Sequence, residues 1–222
     1  IIIIIIPKII TSIATVETTR QGLFFADEQI AIDLDKNNAD QIRQELRTKS
    51  LSVPESKERV QEIYFVYQVK EQATEGLVMK MVEASPTVLS AKLDLKLPDG
   101  LLRFLEPQMM FGFYYGYQTA PFYIFKTKSY KNTADALLNN ESLIASELLS
   151  PLVDASTTEK IKNGQFQDKM VRNYDARLMI DETNTVIALY SWVDKNTLVF
   201  TTNEDTFSSI LNSFLSPKRV VK

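Results

Sequence analysis

Residues 109–128 read MMFGFYYGYQTAPFYIFKTK, a stretch dense in Phe and Tyr. Aromatic and β-branched residues are enriched in strands, where they pack against neighbours on a pleated surface. Gln118-Thr119-Ala120 separates two such runs and is short enough to be a tight connection. The stretch therefore predicts an antiparallel hairpin with strands at 109–117 and 122–128. Two glycines in the first run permit a bulge or the close approach of another backbone.

The aromatic side chains of this hairpin have two interpretations. The structural one is that aromatic pairs across the hairpin hold its strands together. The functional one is that they form an exposed surface for a protein partner or a second copy, because Tyr and Phe are enriched in interface cores. Alternation places Phe111, Phe113 and Tyr115 on one face and Tyr114 on the other. The candidate partner surface comprises Phe111, Phe113, Tyr114, Tyr115, Tyr117 and Tyr123.

Outward from the hairpin, one pattern occurs four times: an apolar strand, a polar turn and a capped amphipathic helix. The last copy places a strand at 197–201 and a helix at 204–215, with Asn203 as the N-cap. Its apolar residues follow the i, i+3, i+4, i+7 spacing of a helix that buries one face. The other copies predict strands at 30–34, 77–83 and 122–128, followed by helices at 39–49, 87–95 and 133–149. Asn38 and Ser85 are the N-caps expected for the first two of these helices.

The remaining segments complete the predicted fold. Further strands are expected at 13–19, 60–69, 176–180 and 186–192, and surface loops at 51–58 and 150–171. Short connections favour a mainly antiparallel sheet with helices packed on one face, which is an α+β fold. Pro98-Asp99-Gly100 divides the chain into halves of similar element order. We therefore expect two similar lobes, 13–98 and 99–222, related by divergent duplication, behind an Ile-rich segment at 1–12.

Composition narrows the chemistry that this chain can perform. The 222 residues include neither His nor Cys, which excludes a Ser–His–Asp triad, a thiolate nucleophile and zinc sites built from these ligands. Glycine-rich phosphate loops are absent too. With 25 basic and 28 acidic side chains the net charge is −3, so no basic footprint for nucleic acid is expected. The sequence predicts a protein that is not an enzyme and holds no metal or cofactor.

Glu141 interrupts the apolar stripe of the helix predicted at 133–149. A carboxylate at a buried position needs a cation or hydrogen-bond donors to offset its lost hydration. Arg172 and Arg177 are the two candidate partners downstream.

The chain begins with six isoleucines followed by Pro7. A helix needs about 20 apolar residues to span a bilayer, so this run is too short. Three interpretations stand: the remains of a membrane anchor, a strand that pairs with another segment, or a stretch whose residue identities are unreliable.

Several segments resemble a group of uncharacterised proteins from candidate-phyla bacteria. They are APFYIFK at 120–126, RNYDAR at 172–177 and NTLVFTTNE at 196–204, within a resemblance covering roughly residues 105–215. Those proteins look like single-pass membrane proteins with one exported domain. The resemblance implies a membrane-tethered domain on the extracytoplasmic side, and it brings no catalytic motif with it.

These observations favour a non-enzymatic interaction or structural domain of a membrane-anchored cell-envelope protein. A protein partner or a second copy would bind through the aromatic hairpin or a sheet edge. The first alternative is a small-ligand-binding module with a cleft between the two lobes. The second is a hydrolase that uses carboxylates alone.

Overall fold

The computed structural model describes residues 22–52, 58–73 and 76–216. The Ile-rich segment and the strand expected at 13–19 lie outside these residues. The nine strands are β1 Glu28–Asp33, β2 Arg59–Ala73, β3 Gly76–Glu83, β4 Leu105–Tyr115, β5 Thr119–Thr127, β6 Phe166–Val171, β7 Tyr174–Ile180, β8 Val186–Asp194 and β9 Thr197–Thr201. The seven α-helices are α1 Ala39–Ser50, α2 Pro86–Lys92, α3 Asp99–Leu102, α4 Tyr130–Leu138, α5 Glu141–Leu149, α6 Ala155–Asn163 and α7 Glu204–Leu215, with a 3-10 turn at Ser150–Leu152.

All nine strands belong to one mostly antiparallel sheet, which confirms the α+β prediction. The strand order is β1-β2-β4-β5-β9-β8-β7-β6, and β3 pairs with the far end of β2. The single parallel pair is β1 with β2. Helix α1 connects these two strands, and such a crossover is what allows consecutive strands to run parallel.

The sheet runs without interruption through the two predicted halves. Strand β4 pairs with β2 on one side and β5 on the other, so Phe111 lies opposite both Ile63 and Tyr123. One core cluster likewise draws residues from both halves, from Ile32 to Phe200. The two lobes expected from element order are thus joined by backbone hydrogen bonds, which no sequence periodicity reveals.

The helices cover both faces of the sheet. The sequence had predicted helices on one face only. Helices α1 to α6 pack on one face, where Tyr123 and Phe125 of β5 point. Helix α7 packs on the opposite face, where its Phe207 and Ile210 meet Ile124. The central strands β4, β5 and β9 are almost entirely buried for this reason. A strand buried on both faces has a continuous apolar sequence in place of polar alternation.

Local sequence signals set the helix starts. The side chains of Asn38, Ser85 and Asn203 each accept a hydrogen bond from the backbone N–H three residues later, which confirms these three N-caps. The helix expected at 133–149 is instead two helices, α4 and α5. The Asn139 and Asn140 side chains donate to the carbonyls of Asp135 and Ala136, and such local bonds compete with helix continuation.

The prediction of a surface loop at 150–171 was wrong, because this segment contains a 3-10 turn, α6 and β6. Helix α6 is capped by Asp154 but buries only Ile161. Strand β6 buries only its two end residues, Phe166 and Val171. Both elements lie at the periphery of the fold, where little apolar periodicity is needed for packing.

Gly112 is required by the approach of β2 to β4, whereas Gly100 lies in open space. A Cβ at position 112 would overlap the backbone oxygen of Gln61 and the ring of Phe122, and one at position 100 would meet nothing within 4 Å. We expect Gly112→Ala to lower the free energy of unfolding by about 1–3 kcal/mol through overpacking. Gly100→Ala in α3 should leave it unchanged or raise it by about 0.5–1 kcal/mol. Urea unfolding of both variants measures the difference, and equal stabilities would contradict the close approach.

Candidate functional site

The structure corrects the predicted aromatic partner surface. Phe111, Phe113, Tyr115 and Tyr123 are at most 6% exposed, because helices cover the face of the sheet to which they point. Tyr114 is half-buried towards the α7 side. Only Tyr117 is largely open to solvent, at 83%. Four of the six residues therefore cannot touch a partner while the protein is folded.

The alternative, structural interpretation describes these residues well. The ring centroids of Phe111 and Tyr123 are 4.5 Å apart across the β4–β5 pair, and Phe111 also lies 5.8 Å from Phe65 of β2. Aromatic pairs at such distances stabilise a core beyond their buried area. The aromatic hairpin is thus the packing centre of the sheet.

A groove of about 530 Å³ opens elsewhere, between helix α4 and strands β6, β7 and β8. We call it the aromatic groove. Tyr130, Ala134 and Leu138, spaced by four residues along α4, form one wall. Met170 of β6 and Trp192 of β8 contribute to the floor and the opposite side. Tyr130, Leu138 and Met170 are at least half exposed, so an apolar lining faces solvent here.

Trp192 is the only tryptophan of the chain and packs against Tyr130 in this groove. The two ring centroids are 4.7 Å apart with an interplanar angle of 61°, an edge-to-face arrangement. Trp192 packs against the core cluster, yet it remains partly exposed. Indole and phenol rings attract cations through their quadrupoles.

The charged end of the groove is built around Arg177. Its Nε and Nη2 donate to the two carboxylate oxygens of Glu141 at 2.8 and 2.7 Å, and its Nη1 lies 3.1 Å from Asp168 Oδ1. The Tyr190 hydroxyl donates to the same Glu141 carboxylate. The sequence left Arg172 and Arg177 as alternatives for Glu141. The structure selects Arg177, while Arg172 is exposed and donates to Ser208 Oγ.

Burial and this ion pair shift the neighbouring groups. Burial, followed by the hydrogen bond to Glu141, raises the pKa of Tyr190. The hydrogen bond to Glu141 raises the pKa of Arg177. Arg177 is therefore held in its charged form against Glu141, with a neutral phenol beside it.

The groove keeps a surplus of negative charge. Arg177 alone faces three carboxylates, those of Glu141, Asp168 and Asp175. Asp175 is exposed and makes no ion pair with any described residue. Lys169 also reaches the rim, but its Nζ lies 3.1 Å from Glu204, which neutralises it. The result is an aromatic groove in which Asp175 has no ion pair with a described residue and Asp168 shares Arg177 with Glu141.

Within 22–52, 58–73 and 76–216, no group of three or more His, Cys, Asp or Glu side chains could hold a metal ion. No helix in the described part of the chain is long and apolar enough to cross a membrane.

No protein-family model, curated protein or solved structure matches this chain. The resemblance to membrane-tethered proteins therefore stays an expectation drawn from the sequence.

No pattern in the sequence predicted this groove as a binding site. Its residues come from α4, β6, β7 and β8, so no local motif brings them together. Two signals did point towards it: the single Trp192, and a charged Glu141 within an apolar stripe.

The Glu141–Arg177 pair should contribute measurably to stability. Glu141→Gln leaves a guanidinium with weaker partners in a partly buried site, so we expect the free energy of unfolding to fall by about 1–3 kcal/mol. Glu159→Gln is the matched control, because Glu159 pairs with Lys162 on the surface, where both side chains are more than half exposed. Its effect should stay below about 0.5 kcal/mol. Equal urea-unfolding midpoints for the two variants would contradict the pairing of Glu141 with Arg177.

Ionisation of the buried tyrosines should be delayed in the folded protein. Burial raises the pKa of Tyr123 and is the largest cause of the raised pKa of Tyr190. Because the folded pKa values lie above the unfolded value of about 10, these phenols stabilise the fold below that pH, and this stability is lost as pH rises further. Ultraviolet absorbance at a pH of about 11 should show fewer than nine ionised tyrosines before unfolding.

Two variants test which tyrosines account for the reduced absorbance of the folded protein. Tyr190→Phe and Tyr123→Phe should each shrink the difference between the absorbance amplitudes of the folded and the denatured protein, because each removes a phenol whose pKa burial raises. A folded protein in which all tyrosines ionise near pH 10 would contradict the buried positions.

Proposed function

We propose that this chain is a non-enzymatic interaction domain that binds a cationic segment of a partner protein in the aromatic groove. One observation carries the proposal: the edge-to-face pair of Trp192 and Tyr130 shares a groove with two exposed carboxylates, Asp175 and Asp168, of which Asp168 has only a share of Arg177. Aromatic faces beside carboxylates suit lysine and arginine side chains, whose stems pack on the rings while their charges meet the acids.

The groove's own basic groups support this choice of ligand. A groove built for an anion would present Arg177 or Lys169 to solvent. Both are instead engaged, Arg177 by Glu141 and Lys169 by Glu204. An incoming cation meets carboxylates, whereas an incoming anion would have to displace existing ion pairs.

A hydrolase acting through carboxylates fits this groove less well. General acid catalysis needs one carboxyl group kept protonated by burial or by a neighbouring charge. The Asp168 side chain is 88% exposed and lies 3.1 Å from the Arg177 guanidinium, so it is not a buried carboxyl group. Asp175 is exposed as well.

A small-ligand-binding module remains the second candidate, and it would use the same groove. A small organic ammonium ion could occupy the Trp192 side without a peptide attached. Affinity for such an ion equal to that for a peptide would favour this second candidate.

We extend the proposal to location on the basis of the sequence resemblance alone: an extracytoplasmic domain of a membrane-anchored cell-envelope protein. The complete gene product is expected to carry a hydrophobic span of about 20 residues upstream. Protease treatment of intact cells should then degrade the domain, and protection of the domain would count against this location.

Trp192 allows ligand binding in the groove to be followed by intrinsic fluorescence. Because no other tryptophan is present, a change in intrinsic fluorescence on adding ligand arises at this residue. We expect tetralysine to change the emission in a saturable, salt-sensitive way, whereas tetraglutamate and side-chain-acetylated tetralysine should not. A response of equal size to tetraglutamate, or none to tetralysine, would overturn the proposal.

Variants separate the two parts of the site. The double variant Asp168→Asn/Asp175→Asn should weaken tetralysine binding roughly tenfold, because two exposed attractions are lost. Tyr130→Ala should weaken it about two- to fivefold through the lost cation–aromatic contact. Glu45→Gln, an exposed carboxylate on α1, is the control and should bind as the parent does.

A further inference from the structure

The β2–β3 hairpin extends beyond the rest of the sheet. Strand β1 pairs with β2 only as far as Val66, and β4 only as far as Ile63. Beyond Val66, strand β2 pairs with β3 alone, through residues 67–73 and 76–82. We call this two-stranded ribbon the β-arm. Isolated two-stranded ribbons are marginally stable in water, so the exposed arm gains from a further strand.

The β-arm carries a concentrated row of exposed apolar side chains. Leu77, Met79 and Met81 are 69%, 53% and 45% exposed. Alternation puts these three on one face of β3, where their neighbours on β2 are the polar Gln72, Lys70 and Gln68. The apolar row therefore lies along the outer strand, beside the edge that no described strand occupies.

The backbone groups of the same three residues point to that outer edge. Ala84 N–H donates to the Phe65 carbonyl, and Val66 lies opposite Glu83. In an antiparallel ladder, hydrogen-bonded and non-hydrogen-bonded pairs alternate. Residues 78, 80 and 82 thus direct their N–H and C=O groups towards β2, and residues 77, 79 and 81 direct theirs outwards.

We propose that β3 of one copy pairs antiparallel with β3 of a second copy, with the two Met79 residues on the two-fold axis. In this register Met79 lies opposite Met79 of the second copy, and Leu77 lies opposite its Met81. All three outward-facing positions form hydrogen-bonded pairs, and the apolar row meets itself along its whole length. The spacing Leu-x-Met-x-Met is self-complementary, which is what an isologous two-fold contact requires.

The charges of the arm select this register over its neighbours. A shift of the axis to position 80 would place Lys80 directly opposite its copy and Leu77 opposite Glu83. Like charges directly opposite in a sheet are destabilising. A shift to position 78 would leave Met81 beyond the paired segment. With the axis at Met79, Lys80 lies opposite Val78 and keeps its bond to Glu71, at 3.2 Å.

This contact is independent of the aromatic groove, which lies at the β6 end of the sheet. A β-arm dimer would place two copies of the ligand groove in one sheet-continuous assembly. Two grooves held together increase the apparent affinity for a partner with several cationic segments.

Sedimentation equilibrium of the full chain tests the dimer. We expect the mass to rise towards twice the 25.3 kDa monomer as concentration increases from about 1 to 100 μM. Met79→Lys should keep the protein monomeric, because it places two ammonium groups together on the axis. Leu143→Lys, at an exposed apolar position on α5, should dimerise like the parent. A parent that is monomeric throughout, or a Met79→Lys variant that still dimerises, overturns the proposal and leaves the edge to a different protein strand.

Single cysteines test the register in a chain that has none. In the proposed pairing the two residues at position 79 have Cα atoms about 5.5 Å apart, within disulfide range. Met79→Cys should therefore cross-link under mild oxidation. Leu77→Cys alone should not, since its copies lie about 13 Å apart along the strand, whereas Leu77→Cys with Met81→Cys should. Efficient cross-linking of Val78→Cys or Lys80→Cys in preference to Met79→Cys would show another register and overturn this one.

Discussion

The burial of β4, β5 and β9 on both faces is the constraint on which the rest of the molecule depends. Every residue of β9 is buried, and so are most residues of β4 and β5. Where these strands are buried, their backbone polar groups can be satisfied only by neighbouring strands, because water does not reach them. The three strands must therefore lie side by side in the middle of the sheet, and each face needs its own layer of cover. Helices α1 to α6 supply one layer and α7 contributes to the other.

The features that suit binding lie away from this centre. The sheet is well covered in the middle, but it extends past its helices at the β6 end and past its own neighbours at the β-arm. The aromatic groove lies alongside α4, where part of β6, β7 and β8 stays open. The fold itself leaves apolar side chains exposed at Leu138, at Met170 and along the β-arm row of Leu77, Met79 and Met81. Loops and edges carry binding in many proteins for the same reason, since a packed centre has no surface to offer.

The aromatic residues illustrate how burial decides between structure and recognition. Phe111 and Trp192 are both aromatic residues on strands that point to the helical face of the sheet. Phe111 lies in the middle of the sheet beneath that layer and is core, whereas Trp192 lies near the rim, where the layer ends, and is partly open. Both residues are aromatic, so residue type does not distinguish core from exposed surface here. Their positions within the sheet do.

The sequence by itself determined most local elements and the class of the fold. Asn38, Ser85 and Asn203 marked helix starts because a cap acts within three residues, and the aromatic runs at 109–117 and 122–128 marked a hairpin because a strand pattern is equally local. The absence of His and Cys, which composition alone shows, excluded a Ser–His–Asp triad and a thiolate nucleophile. Tertiary structure decided that the halves share one sheet, that α7 covers the opposite face, and that the aromatic hairpin is core. It also decided that Glu141 meets Arg177, 36 residues away. These outcomes depend on which strands hydrogen-bond to one another, a non-local choice that leaves no periodic mark in the chain.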